Sequence, residues 1–84
     1  MKISVEMSYY PFVENVEEEV GRFLVKLKNY EGLTIKTNFM STHIIGEYEK
    51  VMELLNKELA DTFNSQKSVF VMKISNGCDE SCFV

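Results

Sequence analysis

Twice along this chain the hydrophobic period switches from two residues to about 3.6 and back, and that switch limits the possible folds more than any other feature. Ile3, Val5, Met7 and Tyr9 alternate with Ser4, Glu6, Ser8 and Tyr10, the pattern of a strand with one apolar face. Pro11 ends the run because it has no ladder donor. Asn15, with Glu18 three residues on, predicts a helix start in which the side chains cap one another's backbone. Val16, Val20, Phe23, Leu24 and Leu27 follow at helical spacing. Glutamates crowd the first turns, and Arg22, Lys26 and Lys28 the later ones, matching the helix dipole. The helix is expected to stop near Asn29, with Gly32 taking a left-handed turn position.

The second cycle repeats the first. Leu33, Ile35, Thr37 and Phe39 alternate with Thr34, Lys36, Asn38 and Met40, and a short turn at Met40-Ser41 leads into a third strand, Thr42-His43-Ile44-Ile45. Gly46, with Glu49 three positions on, is the expected start of a second helix. Its stripe is Val51, Leu54, Leu55 and Leu59, with Phe63 beyond, and Asn64-Ser65-Gln66 breaks it. Ser68 to Ile74 reads as the last strand, and Asn76-Gly77 closes the domain.

The order is therefore β-α-β-β-α-β. Right-handed crossovers place both helices on one face of an antiparallel sheet with strand order 4-1-3-2. The expectation is an α+β ferredoxin-like sandwich over residues 1–77, followed by a short polar tail, 78–84. Cys78 and Cys82 both fall in that tail, so the domain folds without a disulfide. Two thiolates are too few for a structural zinc site.

In this architecture one sheet face carries no helix. With Ile3, Val5 and Met7 under the helices, Ser4, Glu6, Ser8 and Tyr10 line the open face. Strand four is apolar on both sides, with Val69 and Val71 one way and Phe70, Met72 and Ile74 the other. A strand apolar on both faces is covered on both, so Phe70, Met72 and Ile74 are expected on the open face, against a second copy in a homodimer or homotetramer. Glu6 would then need a partner, either Lys36 or Lys73, a hydroxyl network, water or a ligand with donors.

The charge balance, nine bases against thirteen acids for a net −4, argues against nucleic acid, since no basic stripe is present. No apolar run approaches the roughly 20 residues that cross a bilayer. The first residues interrupt their apolar run with polar ones, unlike a signal peptide. The expected location is the cytoplasm. Nothing reads as a catalytic constellation: there is no phosphate-cradling glycine loop and no second histidine beside His43. His43 reads as a ligand contact or an acid–base group, although a lone histidine beside isoleucines is more often a satisfied structural residue. No enzyme, metal or cofactor is expected.

Two segments carry a resemblance. Ser4-Val5-Glu6-Met7-Ser8-Tyr9-Tyr10-Pro11 resembles the first strand of the YkoF-type thiamine/hydroxymethylpyrimidine-binding family. Met40 to Met52 resembles the third strand and second-helix start of that family. The resemblance implies a ferredoxin-like fold and non-enzymatic binding of thiamine or its hydroxymethylpyrimidine precursor, serving uptake or salvage alongside a membrane transporter. The namesake proteins carry two such domains in one chain and this chain has one, which a homodimer would rebuild. An aminopyrimidine asks for a carboxylate or carbonyl, hydroxyls and a flat slab. Glu6, Ser8, Ser41, Thr42 and His43 supply the polar set, and Tyr10, Phe39 and Tyr48 the slab. Whether Thr42 or His43 shares the face of Glu6 turns on a one-residue register. The alternative is a ferredoxin-like oligomerisation or regulatory module without a thiamine ligand.

Overall fold

A computed structural model describes residues 1–38 and 40–77. Its elements are β1 (Lys2–Pro11), α1 (Val16–Lys28), β2 (Thr34–Thr37), β3 (Thr42–Glu47), α2 (Tyr48–Ser65) and β4 (Ser68–Ser75). The four strands form one antiparallel sheet in the order β2-β3-β1-β4, which is the expected ferredoxin-like layout. Phe39, Cys78 and Cys82 lie outside the described residues.

Local chemistry sets the boundaries. The Asn15 side chain accepts from the backbone N–H of Glu18, as the sequence implies, but the Glu18 carboxylate returns the bond to the Asn15 side-chain amide and not to its backbone. Gly32 has φ +80°, a left-handed turn that a side chain would strain. The second helix begins later than Gly46 suggests. That glycine is buried inside β3, the helix starts at Tyr48, and Glu47 precedes it without a side-chain cap. Strand β2 is also shorter than its alternation. It ends at Thr37, and the Asn38 side chain accepts from the backbone N–H groups of Met40 and Ser41 to form the turn.

The core joins Ile3, Val5 and Met7 of β1, Ile44 of β3, Phe23 and Leu27 of α1, and Val51, Leu54 and Leu55 of α2. Both helices therefore cover the same sheet face. Glu58 is buried between them. Tyr30 donates to its carboxylate at 2.7 Å, and the Lys26 ammonium stands 3.0 Å away. Burial raises the Glu58 carboxyl, but the contacts from Tyr30 and Lys26 outweigh it and hold the group below the usual range.

The expected facing of β4 is reversed. Met7 pairs with Met72 and Tyr9 with Phe70, and directly opposite residues share a face. Phe70, Met72 and Ile74 thus lie on the helix side, with Phe70 stacked on Tyr9 at 4.5 Å and both Phe70 and Met72 packed on the core. Ile74 shares that side but remains 54% exposed. Val69 and Val71 occupy the helix-free face instead, opposite Tyr10 and Ser8. That face is not uniformly bare, because Ser4 and Ile45, paired on it, are buried.

Candidate functional site

The two ladders of β1 end at different places. Against β4 the pairing runs to Pro11–Ser68, whereas against β3 it stops at Met7–Thr42. Beyond Met7 the β3 side of β1 has no ladder partner among the described residues, and in an antiparallel strand half of the backbone donors and acceptors point to that side. A cleft of about 300 Å³ occupies the gap. Met7, Tyr9, Phe23 and Leu24 form its apolar wall, with Val16 and Val20 of α1 above them, and Ser8, Asn38, Ser41 and Thr42 bring uncharged polar groups.

Tyr9 is clamped. Its hydroxyl donates to Glu19 at 2.6 Å and accepts from Gln66 at 2.7 Å, while Arg22 binds the same carboxylate through two nitrogens. Burial, then the adjoining carboxylate, pushes the Tyr9 hydroxyl up to about 12. The hydrogen bond from Arg22 outweighs burial and holds Glu19 below the usual carboxylate range, helped by Tyr9 and Gln66. The clamp ties α1, β1 and the end of α2 together and fixes the ring in the cleft wall.

The expected site residues divide into three groups. Ser8, Tyr10, Ser41 and Thr42 line the cleft. Glu6 and His43 stand together on the helix-free face, paired across the β1–β3 ladder, with His43 Nε2 3.7 Å from the Glu6 carboxylate. The register therefore answers the question left open: His43 shares the face of Glu6, and Thr42, opposite Met7, is buried on the helix side. The Ser41 hydroxyl donates to Glu6 at 3.4 Å, so it touches both the cleft and this pair, and Lys73 lies 3.9 Å from the same carboxylate. Tyr48 belongs to neither group. It sits at the far end of β1, its backbone N–H donating to the Met1 carbonyl, and cannot act as a slab for the others.

Met7, Tyr9, Val16, Val20, Phe23, Leu24 and Asn38 were not among the expected site residues. Their apolar or turn-forming pattern is that of core and loop, and only the early end of β3 turns it into a wall. Among the described residues no group of acidic, cysteine or histidine side chains could hold a metal ion, and no helix is long and apolar enough to cross a membrane.

No protein-family profile matches this chain, and no curated protein matches it. Solved structures do. A Thermotoga maritima protein named as a candidate for thiamine biosynthesis or salvage is 20% identical, with a TM-score of 0.76 over 89% of this chain and 83% of that one. A Streptococcus pneumoniae protein is 19% identical with a TM-score of 0.82, over 99% and 93% of the two chains. A Methanocaldococcus jannascii protein of no stated function is 23% identical, with a TM-score of 0.76 over 94% and 84%. At these identities the likeness is one of fold.

Proposed function

We propose that this protein is a non-enzymatic binder of thiamine or its hydroxymethylpyrimidine precursor, acting in the cytoplasm in vitamin uptake or salvage. The observation that carries this reading is the cleft where β1 outruns β3. It offers strand-edge backbone groups, the Ser41 and Thr42 hydroxyls and the flat Tyr9 ring around a space suited to a small heterocycle. An exocyclic amine asks for carbonyl acceptors, and ring nitrogens ask for hydroxyl donors. The Thermotoga likeness and the YkoF-type resemblance of the first strand point the same way. Partnership with a transporter belongs to the same proposal.

Thermal unfolding with each compound tests it. Ligand at 100 times its Kd adds about 2.7 kcal/mol, roughly 10 °C or more in Tm for a domain of this size. Thr42→Val and Ser41→Ala should each weaken binding about tenfold while the protein stays folded. Unchanged melting with thiamine and with hydroxymethylpyrimidine would refute the reading.

A second reading, a self-associating module, is favoured by the adjoining exposure of Tyr10, Val69 and Val71 on the helix-free face. In that case Val71→Glu should dissociate a homodimer or homotetramer seen by light scattering. A monomeric wild type at high micromolar concentration would exclude it.

A further inference from the structure

Resting on the binding reading above, we infer that the cleft accepts only the unphosphorylated heterocycle and excludes its phosphate esters. Every described residue lining the cleft is uncharged. A phosphate carries close to two negative charges at neutral pH and stays buried only where cations or oriented N–H groups replace its water. The start of α1 would ordinarily supply such groups, since Val16 lines the cleft. Here Asn15 already caps one of those donors, the Glu18 N–H, and Glu17, Glu18 and Glu19 fill the first turn with carboxylates that oppose an anion.

Two cations already face carboxylates of their own. Arg22 is held by two hydrogen bonds to Glu19, and Lys73, largely exposed, leans on Glu6. The Ser41 hydroxyl leads from the cleft to the Glu6 carboxylate. That carboxylate tolerates a cationic thiazolium and opposes an anion. The ligand is therefore held at a stage before the phosphotransfer reaction that consumes its free hydroxyl.

Calorimetric titration of the wild-type protein with hydroxymethylpyrimidine, thiamine and the monophosphate ester of each tests the inference. The expected result is binding of the parent compounds and at least tenfold weaker binding of the esters. Val20→Lys, which sets an ammonium on the wall, should recover ester affinity several-fold without improving that of the parents. Esters that bind as tightly as their parents overturn the inference while leaving the binding reading intact. A folded Val20→Lys protein with ester binding still weak overturns charge as the cause. Failure of all four compounds overturns the binding reading, and the inference with it.

Discussion

Glu58→Gln is the perturbation whose size the structure defines best. The carboxylate is 2% exposed, accepts from Tyr30 at 2.7 Å and faces Lys26 at 3.0 Å and Lys57 at 3.7 Å. Glutamine keeps the volume and an acceptor for Tyr30 but removes the charge that matches Lys26. Lys26 is then left with Asp61 at 3.8 Å, which is half exposed. Hydrogen bonds to charged groups contribute about 1.5–3 kcal/mol, so the loss should be about 2 kcal/mol. Urea unfolding followed by far-UV circular dichroism, with a slope near 1 kcal/mol per molar for a small domain, should show the midpoint falling by roughly 2 M. The native Glu58 carboxyl is depressed from its ordinary value of 4.5. Its contribution is therefore complete above that value and disappears as pH falls through the lower native one. The gap between the two proteins should be full at pH 7 and close in acid. Midpoints within about 0.5 M at pH 7, or a gap that persists in acid, would refute the assignment of Glu58 as a paired, ionised group between the helices.

Other outcomes follow from the packing. Phe70→Ala should destabilise the fold by about 3 kcal/mol, whereas Val71→Ala, one residue on and exposed, should change it by less than about 0.5 kcal/mol; equal losses in denaturant titrations would contradict the strand facing. Gly32→Ala, at φ +80° with Lys50 Nζ 2.6 Å from the new Cβ, should lose roughly 1–2 kcal/mol in the same assay. Tyr9 titrates near 12 in the fold against an ordinary 10.0, so its share of stability is present below pH 10 and is lost as pH rises towards 12. Tyr9→Phe should flatten that alkaline decline, and an unchanged decline would remove the clamp from the account.

The element order was legible because the first strand and both helices have a clear period, and turn residues mark off the segments between them. Residues 3–9 and the stripe from Val20 to Leu27 left no competing assignment. The facing of β4 was not legible, because Val69 and Val71 are as apolar as Phe70 and Met72, so alternation carries no direction there. Only the pairing of Tyr9 with Phe70 decides it. The same register separates His43 from Thr42, one residue apart in the chain and on opposite sides of the sheet. The cleft was invisible for a related reason. It exists because one ladder stops four residues before the other, a property of pairing lengths that no single segment encodes. Of the residues that line it, Ser8, Tyr10, Ser41 and Thr42 stand out in the sequence by polarity and by the strand resemblance, while Met7, Tyr9 and Phe23 look like ordinary core.

The most direct test of the binding account is a backbone amide shift map of the labelled protein titrated with hydroxymethylpyrimidine. The account predicts the largest shifts at residues 8–10, 16–24 and 41–42, around the gap left by β3. Shifts confined to Val69–Ser75 and the helix-free face, or no shifts at millimolar ligand, would contradict it.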